Sequence, residues 1–151
     1  AYGMTKDRSL LLPACQASIN FIQKAQGANG SWGYQAGATG DTSIVGWQIQ
    51  ALQAARLGKD IVVDDKVIKR AVDFLDLAGS GSLKDAYGYN DNAGAAPGTS
   101  LTAVGLLSRY YTGWDPDRAG YASGVKGLMV RSPGGTTAKP RQNKPALDMY
   151  Y

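Results

Sequence analysis

The sequence predicts an all-α fold assembled from repeated helical hairpins, and three observations carry that reading. First, a phrase recurs at a fixed interval. "AYGMTKD", "ARLGKD" and "YYTGWDPD" contain Gly3, Gly58 and Gly113, 55 residues apart each time, and each phrase is followed by a helical pattern. A period of about 50 residues marks an array of similar units, none able to bury its apolar face alone. Second, no segment sustains the period-two alternation of a strand. The one β-like run, "DIVVDD", is too short and isolated to seed a sheet. Third, short connections (59–63 and 114–116) alternate with longer glycine-rich ones, as expected for two layers of helices wound in one direction. Units of approximately 4–58, 59–113 and an incomplete 114–151 follow from the interval.

The elements can be justified in order. A first helix is expected over about 10–25, with Ala14, Ser18, Ile22 and Ala25 on one face and Cys15 and Ile19 beside them. The second starts in "GDTSIVGWQIQALQAARLG", with Asp41 or Thr42 as cap. Ile44, Trp47, Ala51 and Ala55 form its stripe, and Gly58 serves as the C-terminal stop. Asp64 and Asp65 suit the positive end of the third helix, which buries Val67, Ala71, Phe74 and Leu75 and ends at Gly79. The fourth takes Thr99 as cap, Leu101, Val104, Leu107 and Tyr111 as stripe, and Gly113 as stop. The fifth runs from about Asp117 to Val130, and a sixth is expected to begin near Leu147.

At 151 residues the chain is one domain's worth, and 44% hydrophobic against 19% charged residues fits a soluble globular protein. No run reaches the roughly 18 apolar residues of a membrane span. The absence of an initiator Met suggests a start inside a larger protein. There is no histidine, which removes His-based acid–base chemistry, Ser-His-Asp triads and most catalytic zinc sites. The single Cys15 cannot form an internal disulfide and reads as a small buried hydrophobe rather than a reactive thiol. Net charge is +4 and uneven: Arg118, Lys126, Arg131, Lys139, Arg141 and Lys144 follow one another with no acid between them. Such a loop attracts phosphate, but it lacks the interleaved aromatics that stack on nucleic-acid bases. A solvated loop, with no nucleic-acid partner, is expected.

The first long loop reads "FIQKAQGANGSWGYQAGATGDTS". Phe21 precedes it, and Gln26, Gly30 and Trp32 form its core. A Gln at a helix end reaches unpaired carbonyls with its amide, and a Trp returning from a glycine turn stacks over that amide and shields it. This grouping resembles the QW motif of the squalene–hopene cyclase, oxidosqualene cyclase and protein prenyltransferase β-subunit superfamily. The following "TSIVGWQIQAL" is similar to the inner-helix segment of that group. The second unit repeats the motif degenerately with Phe74, Gly88, Tyr89 and a Thr99-Ser100 helix start. There Asp76 or Leu77 stands near the position of the Gln, and Tyr89 replaces the Trp. "TSLTAVGLLSRYYTGW" is likewise similar to bacterial prenyltransferase/squalene-oxidase repeat proteins. The resemblance implies an α/α toroid, with inner helices starting at Thr42 and Thr99 and outer ones near Leu10, Asp65 and Asp117. At roughly six hairpins per ring, this chain is about half.

The family's catalytic groups find no match here. Its cyclases protonate an isoprenoid with a DxDD cluster, which needs an acid held protonated by its neighbours. The nearest run, "VVDDK" at Asp64-Asp65, lacks the first Asp and sits at a helix cap. Family zinc sites use Asp, Cys and His, but Ile44 and Leu101 occupy the Cys position. No catalytic residue, metal site or cofactor is therefore expected within this chain. Aromatic and polar positions remain as a candidate pocket for an apolar or carbohydrate ligand: Trp47, Tyr87, Asp91 and Trp114. Trp47 is expected to be core, Tyr87 and Tyr89 pieces of the second clamp, and Asp91 a turn residue. Three functions stay open. The first is a non-catalytic platform in a larger protein, binding an apolar small molecule or another protein domain. The second is part of an isoprenoid cyclase whose acid lies elsewhere, and the third is a self-associating fragment.

Overall fold

A computed structural model describes residues 2–130. Among them are six helices and one short ladder. α1 covers Tyr2–Thr5, α2 Leu11–Lys24, α3 Thr42–Leu57, α4 Asp65–Ala78, α5 Ser100–Tyr111 and α6 Ala119–Met129. β1 (Gly79–Ser80) and β2 (Ala86–Tyr87) pair antiparallel, Gly79 opposite Tyr87 and Ser80 opposite Ala86. The fold is all-α. The ladder corrects the expectation of no strand, and it lies outside "DIVVDD". Two residues on each side suffice to pin the loop after α4, a feature too short to show as alternation. The helix expected near Leu147, and the basic positions Arg131, Lys139, Arg141 and Lys144, lie outside the described residues.

Contacts divide the chain into two compact units, Ala1–Phe74 and Leu75–Tyr151. In the first, α2 packs on α1 and α3. Its larger buried apolar side chains are Tyr2, Ile19, Trp32, Val45, Ile49, Leu52, Ile61, Val67, Ile68 and Phe74, with Ala25, Ala55 and Ala71 among them. Two local devices start its helices. Asp41 caps α3, its carboxylate accepting the Ser43 and Ile44 N–H groups at 2.8 and 3.3 Å, which stabilises a helix by about 1 kcal/mol. Asp7 does similar work ahead of α2, accepting from the Ser9 and Leu10 N–H groups at 3.1 and 2.9 Å. In the second unit α5 packs on α6 and β2. Thr99 caps α5 by accepting the Thr102 N–H at 3.2 Å.

Burial corrects several expected stripes. On α3 the inward row is Val45, Ile49, Leu52 and Ala55, not Ile44, Trp47 and Ala51. Two apolar rows run side by side one residue apart, and packing selects the aliphatic one. Trp47, expected in the core, is 58% exposed. On α5, Thr102, Leu106 and Arg109 are buried beside Val104, whereas Leu107 and Tyr111 face solvent. On α2, Ala14 and Ser18 are exposed and Ile19 is inside. The α4 row of Val67, Ala71, Phe74 and Leu75 is buried as expected. Gly58 is not the left-handed stop of α3. It keeps right-handed geometry, and the next residue, Lys59, takes φ of +64°. Gly113 does adopt a positive φ, +104°, after α5.

Candidate functional site

The first unit's long loop is held by side chains that the sequence singled out, with their roles redistributed. Trp32 is buried and its indole N–H donates to the Ile22 carbonyl of α2 at 2.7 Å. The indole, not the glutamine, therefore reaches the open end of α2. Gln26 instead donates from Nε2 to the Gly30 carbonyl at 2.9 Å and to the Val67 carbonyl at 3.0 Å, tying the loop to α4. Its Oε1 is buried without a hydrogen-bond partner among the described residues, a setting that suits one ordered water. Gly30 cannot be replaced cheaply. Its φ is +88°, and a Cβ there would stand 2.0 Å from the Arg70 carbonyl oxygen. Arg70 in turn donates to the Gly27 carbonyl. Phe21, expected as part of this grouping, is 65% exposed.

In the second unit, the residue in Trp32's place is Tyr87 rather than Tyr89. "SWGY" and "AYGY" align at the 55-residue interval, pairing Trp32 with Tyr87, Gly33 with Gly88 and Tyr34 with Tyr89. Both Trp32 and Tyr87 are buried, and Tyr34 and Tyr89 are both exposed. The Tyr87 N–H donates to Thr102 Oγ1 at 3.0 Å, and the Gly88 N–H donates to the Ala78 carbonyl at 3.0 Å. The Tyr87 ring lies against Gly105 of α5, where a Cβ would meet ring carbons at 2.3 Å. Only glycine allows this approach.

Arg109, which composition did not single out, sits at the centre of this region at 1% exposure. Its Nε donates to Tyr87 Oη at 3.0 Å, and its guanidinium pairs with Asp76 of α4. Trp114 stacks on it, ring centroid 4.8 Å from Cζ, and Arg118 lies over the same indole at 4.3 Å. Burial raises the pKa of the Tyr87 phenol, a shift opposed by the neighbouring Arg109 charge. The phenol thus stays protonated at neutral pH. Aligning Thr42-Ser43 with Thr99-Ser100 places Arg109 opposite Leu52. A cation on an apolar row, with a carboxylate one helix earlier, is the signal that finds it.

Of the expected pocket residues, Trp47 belongs to the first unit, and in the second Tyr87 and Trp114 both lie against Arg109. Asp91 lies in an exposed turn, accepting the Ala93 N–H at 2.8 Å. What α5 offers to solvent is a different aromatic set. Leu107, Tyr110 and Tyr111, spaced three and four apart, are exposed on one side of the helix. The Tyr110 ring is 6.1 Å from Tyr111 and 6.2 Å from Tyr121 of α6. Among the described residues, no three His, Cys, Asp or Glu side chains cluster to hold a metal, and no helix is long and apolar enough to cross a membrane. No protein-family model matches the chain, and no curated protein or solved structure matches it.

Proposed function

We propose that this chain is a repeat module of the squalene-cyclase/prenyltransferase-like α/α-toroid type, working as a binding platform within a larger protein rather than by catalysis. The observation that carries this reading is the tyrosine surface of α5 and α6. Tyr110, Tyr111 and Tyr121 present rings at 6.1 and 6.2 Å spacing, with Leu107 beside them. Tyrosines in this setting supply apolar area with a polar tip, the mixture enriched in protein interfaces. Support for the family part of the reading is the loop in which Gln26, Gly30 and Trp32 hold α2 to α4.

The test places a photo-crosslinking amino acid at position 110 in the full-length protein, with position 73 on α4 as an exposed control. A discrete adduct to a second protein at 110 and none at 73 is the expected result. Equal labelling at both positions, or none at either, removes the platform reading. Turnover of a linear isoprenoid by the purified full-length protein would put a cyclase in its place.

A further inference from the structure

In the first unit, an open groove runs between the C-terminal half of α2 and the first turns of α4. Lys24 comes from α2, Lys66 and Arg70 from α4, and the buried Val67 forms part of the lining. Charge here is arranged against the helix's own interest. Lys66 and Arg70 are four residues apart on one face, where like charges repel, and Lys66 lies in the first turn, at the positive end of the α4 dipole. Four cations of the chain are ion-paired: Arg8 with Asp60, Arg56 with Asp65, Lys69 with Asp73 and Arg109 with Asp76. Lys24, Lys66 and Arg70 have no such ion pair among the described residues.

The one carboxylate in the groove, Asp64, is already engaged, since its Oδ1 accepts the Lys66 backbone N–H at 2.8 Å. Three cations against one carboxylate leave two positive charges. Asn20 adds a neutral donor. Its carbonyl oxygen accepts from Gln16 at 2.9 Å, which leaves the NH2 group for the groove. Three cations and an amide donor lining one groove match an ion of about two negative charges and several acceptor oxygens, the description of a phosphate monoester.

We propose that this groove is a binding site for a phosphate monoester, held by Lys24, Lys66 and Arg70. The reading uses residues of the first unit alone and is independent of the tyrosine surface on α5. Bound phosphate relieves the Lys66–Arg70 repulsion, so the ligand stabilises α4 as well as occupying the groove.

The experiment titrates inorganic phosphate into the full chain at low ionic strength, reading backbone amide shifts, with sodium chloride of matched ionic strength as control. Saturable shifts confined to residues 20–24 and 64–70 are expected with phosphate and absent with chloride. Lys24→Ser and Lys66→Ser change exposed side chains and leave the fold intact. Each is expected to weaken binding about tenfold, the loss of one charge-assisted hydrogen bond. Vesicles of phosphatidylcholine with phosphatidic acid then distinguish the source. Cosedimentation that inorganic phosphate competes away assigns a lipid headgroup, and phosphate shifts without cosedimentation assign a soluble ester. Shifts that never saturate, that chloride reproduces, or that survive both substitutions overturn the site.

Discussion

In the first unit, the buried aromatic of the long loop is Trp32, which gives its indole N–H to the Ile22 carbonyl, while Leu52 stands on the buried row of the following helix. In the second, Tyr87 takes the place of Trp32 and Arg109 the place of Leu52, and the phenol accepts from the guanidinium. One loop is closed by a neutral donor on a helix carbonyl beside an aliphatic core. The other is closed by a cation drawn inside, with Asp76 as counter-charge and Trp114 as cover. The difference shows that the repeat specifies a place for an aromatic, not the chemistry around it. An indole carries its own donor to the helix end. A phenol, used as an acceptor, needs a partner with N–H groups to spare, and arginine supplies several.

The comparison can be broken most forcefully at Trp32. Trp32→Ala removes a buried ring and a hydrogen bond, and is expected to destabilise the protein by about 3–5 kcal/mol in chemical denaturation. A neutral result would mean that the loop is not held by this side chain. At Asp76 the expected effect is smaller. Asp76→Ala leaves the Arg109 charge buried without its counter-ion, but the Asp76 side chain is itself 56% exposed. Solvent screening brings the expected loss to about 1–3 kcal/mol.

The two solutions can also be exchanged. Arg109→Leu alone strands the Tyr87 hydroxyl. Combined with Tyr87→Phe it installs the apolar arrangement of the first unit, and the double variant is expected within about 1 kcal/mol of the parent. A double variant as unstable as Asp76→Ala would show that the second unit cannot use the first unit's arrangement.

The smallest effect expected is one of pH. Asp60 is held below the ordinary carboxylate range, first by the hydrogen bond from the Tyr2 hydroxyl and then by Arg8, against the opposing effect of burial. A depressed carboxylate contributes stability above its unfolded pKa of about 3.9 and loses it as pH falls through the lower folded value. Acid unfolding of Asp60→Asn should therefore be less steep below about pH 4 than that of the parent. The Tyr2 phenol is shifted up by the same hydrogen bond. Its contribution is thus present below the ordinary tyrosine pKa and lost as pH rises through the raised folded value. Identical acid profiles for the two proteins would remove the Tyr2–Asp60 contact from the account.

Much of the architecture was legible along the chain. The helices α2 to α6, the caps at Asp41 and Thr99 and the buried row of α4 follow from spacing and residue type, because helix periodicity and capping act within a few residues; the four-residue α1 does not. The buried rows of α3 and α5 lie a residue or two from the expected stripes. Adjacent apolar rows look alike in one dimension, and only the packing partner chooses between Val45 and Ile44, or between Leu106 and Leu107. The sequence reading puts Tyr89, which is 51% exposed, in the place of the Trp, although the 55-residue interval itself pairs Trp32 with the buried Tyr87.

By itself, then, the sequence determined that this protein is helical and punctuated by glycine-bound loops, since those properties are written in short-range covalent and hydrogen-bonding preferences. Only the tertiary structure decided that Arg109 goes inside. Burying a guanidinium is unfavourable unless an acceptor, a counter-charge and an aromatic face converge on it. Tyr87, Asp76 and Trp114 are brought to Arg109 by folding alone.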